Sequence, residues 1–211
     1  MYMKNADIIA GVQELKVMQP FCADYRSSFH VRQIASMLRM NHATAALALK
    51  SLEKKNVLKS RQEGRNKKYC LNLDNFLAKS YVENAESART AAYFERHFII
   101  KKMLSEFMPS VFRETPVILF GSYAKESFTD NSDIDILVIK NNNEKNIIKL
   151  LEEFGARHNK KIQIQKMNQD NFEKSLMKKD ALVMEIAKNH IILNNIPLIV
   201  DILWRHYNVI K

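Results

Sequence analysis

Two short apolar runs between residues 117 and 139, and the polar residues that separate them, constrain the fold more than any other stretch of the chain. Val117 to Phe120 has the signature of a buried strand, and Gly121 with Ser122 turns the chain out of it toward a helix start. Ten residues further on, Asp133-Ile134-Asp135 leads into a second run, Ile136 to Ile139. Side chains alternate across a strand, so residues 133 and 135 point to the same face. A glycine lets backbone come close to a phosphate, and two carboxylates on one face beside such a turn form a cation cage. Magnesium takes oxygen ligands at about 2.0 to 2.1 Å and is commonly held by one or two carboxylates plus substrate phosphates. The spacing therefore predicts a site for a magnesium-bound nucleotide, with no need for a metal centre built from protein alone.

The pattern Gly-Ser, ten residues, Asp-x-Asp resembles the nucleotidyltransferase fold superfamily shared with DNA polymerase beta, most closely its minimal stand-alone prokaryotic members, over residues 95 to 205. The resemblance implies that Gly121 and Ser122 grip a triphosphate, ATP in the simplest case. It also implies that Asp133 and Asp135 are the catalytic and metal-holding residues across which an NMP group passes to a hydroxyl. Lys125 stands where such members often carry a basic residue, and by that likeness touches phosphate as a point charge; as a lone lysine it is equally a solvated surface residue.

Catalytic members of that superfamily usually add a third carboxylate on a later strand. The corresponding strand here is Lys161 to Lys166, where Ile162 and Ile164 alternate with Gln163 and Gln165. Its polar face carries amides, which ligate a cation weakly and cannot accept a proton. Asp170 and Glu173 follow in a segment that reads as loop turning into helix. Binding of a magnesium nucleotide is thus better supported by the residues than transfer.

Charge singles out the other end of the chain. The net charge of +10 is concentrated in residues 1–75, where 13 Lys/Arg stand against 6 Asp/Glu. Lys54, Lys55, Lys59, Arg61, Arg65, Lys67 and Lys68 fall within fifteen positions opposed by Glu63 alone, a density suited to a polyphosphate backbone. The surrounding pattern predicts helices over 7–18, 33–38 and 42–55. Pro20 closes the first, Asn41 caps the third, and Asn56 supplies the left-handed residue that ends it. Strands over 57–62 and 67–73 flank the glycine-containing tip 63–66.

The run from Ala43 to Asn72, with Tyr69 near the end of the second strand, resembles the winged helix-turn-helix of bacterial and archaeal regulators. That likeness implies that the exposed side of the third helix, carrying His42, Thr44, Lys50 and Lys54, enters the major groove of double-stranded DNA. Lys55, Arg61, Arg65, Lys67 and Lys68 would then meet phosphates. The same fold also serves as a protein or dimer module, but a charge of +7 over 75 residues favours nucleic acid.

These readings divide the chain into residues 1–75, a helical connection 76–108, and residues 109–211, an α+β organisation. Residues 75 to 108 contain neither Gly nor Pro and predict one helix of about 50 Å or two shorter ones, whose apolar stripe packs within the chain or pairs with a second copy. Helices are expected over 144–158, 172–188 and 198–207, with a last strand at 191–193. Cys22 and Cys70 lie far apart with no Cys-x-x-Cys, which disfavours zinc and disulfides and suits a cytoplasmic protein. No run of eighteen apolar residues predicts a membrane span.

Three functions fit. The first is an enzyme that moves AMP from Mg-ATP to a protein or nucleic-acid hydroxyl, as small members of the resembled family do when acting as antitoxins on a partner toxin. The second is a transcription regulator whose second domain is a degenerate nucleotide sensor or dimer platform. The third is a modifier of RNA ends.

Overall fold

The structure, a computed structural model, describes residues 5–64, 66–111, 115–140 and 144–209. It divides into two compact units, residues 1–88 with 207–211 and residues 89–206.

The first unit begins with α1 (Asn5–Met18), which passes into a 3-10 turn at Gln19–Cys22 where Pro20 can supply no amide. Strand β1 (Ser28–His30) leads into α2 (Val31–Met37), and α3 (His42–Lys54) follows. Asn41 caps α3 by accepting from the Ala43 amide at 2.8 Å, and Asn56 ends it with φ 59°. Strands β2 (Leu58–Glu63) and β3 (Asn66–Leu71) form an antiparallel hairpin whose tip includes Gly64 at φ 60°. Strand β1 adds to the far side of β3, giving the order β1-β3-β2. The inward residues of α3, Ala45, Ala48, Leu49 and Leu52, are buried along with Phe21, Ile34, Val57, Leu58 and Leu71, the helical spacing that the sequence predicts.

One buried acid holds this unit together. Glu14 on α1 is 2% exposed and accepts from Ser51 at 2.6 Å, from Lys55 at 2.6 and 2.7 Å and from Tyr81 at 2.9 Å. Tyr81 lies on α4 (Phe76–Arg96), so the network joins three helices.

The second unit takes up the chain in α4. Residues 76–108 resolve into two helices, because α4 ends at Arg96 and α5 (Phe98–Val111) restarts after His97. Then come β4 (Val117–Phe120), the single turn α6 (Gly121–Ala124), β5 (Ile134–Lys140), α7 (Glu144–His158) and β6 (Ile162–Asn168). The unit closes with α8 (Gln169–Met177), α9 (Ala181–Lys188), β7 (Ile191–Asn194) and α10 (Ile196–Val209). The sheet order is β6-β5-β4-β7, with β5 and β6 parallel and the other pairs antiparallel. A parallel pair needs a crossover, and α7 supplies it. Ile134, Ile136 and Val138 on one face of β5 are buried with Ile100, Met103, Ile147, Leu151 and Phe154. Asp133 and Asp135 belong to the opposite face by alternation.

One sequence expectation is corrected here. Residues 172–188 are not a single helix: Lys179 adopts φ 55°, and Asp180 caps a new helix by accepting from the Val183 amide at 3.1 Å. Among the described residues no helix is long and apolar enough to cross a membrane.

Acid should loosen the first unit through Glu14. Burial pushes its carboxyl upward, but the combined bonds from Lys55, Ser51 and Tyr81 hold it below its ordinary value of 4.5. A depressed carboxyl contributes stability that is complete above its unfolded-state value and disappears as pH falls through the folded value. Urea melts followed by circular dichroism should lose midpoint steadily below about pH 4.5, and Glu14→Gln should lower stability at neutral pH while flattening that slope.

Candidate functional site

The strand pairing of the second unit creates the site. Phe120 pairs with Asp135, so the chain leaving β4 must turn directly over the carboxylates at the start of β5. Gly121 makes that turn with φ 68°, a conformation that side-chain-bearing residues rarely adopt. A Cβ built on Gly121 would overlap Asp135 Oδ2 and lie 3.0 Å from its Cγ. Hydrogen at this position is what allows backbone and carboxylate to share the space.

The turn is held from behind. Tyr93 donates to the Tyr123 carbonyl at 2.9 Å, Tyr123 stacks on Phe128 with centroids 4.2 Å apart and an interplanar angle of 3°, and the Ser127 amide donates to the Ser122 carbonyl at 3.0 Å. Ser122 is half-buried.

The two carboxylates have different surroundings. Asp133, 27% exposed, accepts at Oδ2 from Lys161 Nζ at 2.8 Å and from Gln163 Nε2 at 2.6 Å. Lys161 first, and Gln163 second, hold its carboxyl below the usual range. Asp135 is pushed the other way, mainly by burial and then by the negative charge of Asp133. An acid that burial and a neighbouring carboxylate both make harder to ionise is one that a cation stabilises.

Parallel pairing places Gln163 opposite Asp135 and Gln165 opposite Leu137. The position where a third carboxylate would complete the set therefore carries an amide already bonded to Asp133. Glu173 does not replace it, since its carboxylate accepts from Gln169 at 2.8 Å and from Arg205 at 3.0 Å. Among the described residues no group of three or more His, Cys, Asp or Glu is placed to hold a metal. Two carboxylates beside a glycine turn still fit a magnesium ion that arrives with a nucleotide, because phosphate oxygens and water complete its shell.

Residues 104–189 match the family model described as polymerase beta, nucleotidyltransferase. The chain thus carries a nucleotidyltransferase domain, and the match suggests nucleotidyl transfer. The matched stretch includes Gly121, Ser122, Asp133, Asp135, Lys161 and Gln163. No curated protein and no solved structure matches the chain.

Lys125 sits next to this domain's turn, but its ammonium is paired with Glu185 on α9. Both groups are substantially exposed, at 43% and 39%, and such a pair contributes little, so a phosphate can compete for the lysine. Sequence reasoning did not assign Lys161 to the site. The signal was its position just ahead of a strand running parallel to β5. A cavity of about 420 Å³ lies beside Asp133, lined by Asp130 to Asp133, Gly155, Asn159, Lys160 and Lys161. It does not include Gly121 or Asp135, so it adjoins the carboxylates without being the nucleotide turn.

In the first unit His42, Lys50 and Lys54 are exposed on α3, Thr44 is half-buried, and Arg61 is exposed on β2. Lys67 pairs with Glu53 at 2.7 Å and Lys68 with Glu63 at 2.5 Å. Lys55 is exposed but bonded to the buried Glu14, so it also has a structural role. Arg65 lies outside the described residues. Leu47, 71% exposed, adds an apolar side chain to the outer side of α3.

Replacing Gly121 with alanine should test the close approach. Gly121→Ala is expected to destabilise by about 2 to 4 kcal/mol, from left-handed strain together with overpacking. Gly64→Ala, at φ 60° but with nothing within 4 Å of the added carbon, should show only the strain of about 1 to 2 kcal/mol. Urea denaturation of both variants measures the difference.

Proposed function

We propose that the second unit binds a magnesium nucleoside triphosphate, ATP in the simplest case, and transfers its nucleotidyl group to a hydroxyl, while the first unit binds double-stranded DNA as a winged helix-turn-helix. The observation that carries the nucleotide reading is the packing of Gly121 against Asp135, within a stretch that matches a nucleotidyltransferase model. Gly121 and Ser122 offer close-approaching backbone to the phosphates. Asp133 and Asp135 hold the ion, which when bound neutralises phosphoryl charge. The acceptor hydroxyl oxygen bonds to the α-phosphorus, the bond to pyrophosphate breaks, and the hydroxyl proton passes to solvent or a nearby base. A protein partner, as in an antitoxin acting on a toxin, is the acceptor class most in keeping with so small a domain.

A second reading has its own support. Gln163 cannot take a proton and donates to Asp133, which favours a regulator whose second unit senses a nucleotide without transferring it. Incubation with α-labelled ATP, magnesium and a lysate of the source separates the two. Label should appear on a macromolecule with wild type and be lost with Asp133→Ala plus Asp135→Ala. Retained ATP binding with no transferred label would instead establish the sensor.

The DNA reading is supported by the helix order, the β1-β3-β2 sheet and the excess of 13 basic over 6 acidic residues in positions 1–75. Phosphate contacts make such binding fall steeply with salt. Gel shifts with duplex DNA should weaken at least tenfold in Lys50→Glu plus Lys54→Glu and show a shallower salt slope. An unchanged shift would remove the groove-facing assignment of α3.

A further inference from the structure

How many cations the proposed nucleotide site takes is a question that Lys161 and Gln163 answer. Asp133 and Asp135 bring two negative charges, and Lys161 Nζ stands 2.8 Å from Asp133 Oδ2. The Gln163 amide donates to the same oxygen at 2.6 Å. One carboxylate oxygen is therefore already shared by an ammonium and an amide, whereas Asp135 faces the glycine turn.

The ammonium is delivered there by the chain itself. Asn159 turns with φ 49°, the Lys160 amide donates to the Gly155 carbonyl at 2.9 Å, and the Ile134 amide donates to the Lys161 carbonyl at 2.9 Å. A Cβ on Gly155 would sit 2.6 Å from the Lys160 carbonyl, so this return also depends on glycine. The backbone of Lys161 is thus tied to the residue between the two aspartates.

Charge sets the consequence. Two carboxylates and one ammonium leave a single net negative charge, and the described residues add no third acid to the group. A first divalent ion shared by the two aspartates is drawn in by their charge, whereas a second on the Asp133 oxygen that already holds Lys161 and Gln163 would have to displace an ammonium that repels it. We infer that the site takes one divalent cation per nucleotide, with the Lys161 ammonium and the Gln163 amide, both on Asp133 Oδ2, occupying the place that a second cation would need. This rests on the nucleotide-binding reading given above.

Equilibrium dialysis of the full chain against Mn²⁺ and a non-hydrolysable ATP analogue, with bound metal and nucleotide both counted, tests it. Wild type should hold one Mn²⁺ per bound nucleotide even in excess metal, and Lys161→Ala plus Gln163→Asp should hold two. Two ions in the wild type overturn the inference. One ion in the double variant, folded by circular dichroism, overturns the assignment to Lys161 and Gln163. If the wild type binds no analogue, the nucleotide reading itself fails and the inference with it.

Discussion

The site depends on one backbone register. Phe120 pairs with Asp135 across β4 and β5, so the residue after Phe120 must cross the carboxylate with almost no clearance. Gly121 permits this because it has no Cβ and accepts a positive φ. A shift of one residue in that pairing would send both aspartates to the face buried against α5 and α7. The apolar residues that alternate with them, Ile134, Ile136 and Val138, oppose such a shift by being wholly buried.

Two ion pairs show how surroundings decide what a lysine does. Lys55 reaches a glutamate that is 2% exposed and shares it with two hydroxyls, so its bonds fasten helices together. Lys161 is 71% exposed and reaches an aspartate just ahead of the interior strand β5. A pair this exposed adds little stability, so its significance lies in where the charge is placed. The same distinction applies to Lys67 and Lys68, whose pairs with Glu53 and Glu63 lie at the surface and can give way to phosphate.

Much of the fold was legible because local signals agreed with tertiary ones. Asn41 and Asn56 marked the limits of α3, and the alternation around Asp133 and Asp135 fixed their common face. The break at Lys179 was not legible, since a lysine in the left-handed region has no composition signal; only Asp180, a good cap, hinted at it. The bond of Lys55 to Glu14 was not legible because the partners are 41 residues apart. Lys161 was missed for a related reason: its approach to Asp133 follows from the parallel pairing of β5 with β6, a long-range fact. Gln163 was legible as an amide on the polar face, but its bond to Asp133 was not.

The account stands on a phosphate turn and two carboxylates gathering one metal nucleotide. A crystal of the chain grown with Mn²⁺ and a non-hydrolysable ATP analogue tests this directly. It should show an anomalous metal peak coordinated by Asp133 and Asp135 with the triphosphate against Gly121 and Ser122. Nucleotide density elsewhere, with Asp133 still bonded to Lys161 and Gln163 and no metal on either aspartate, would contradict it.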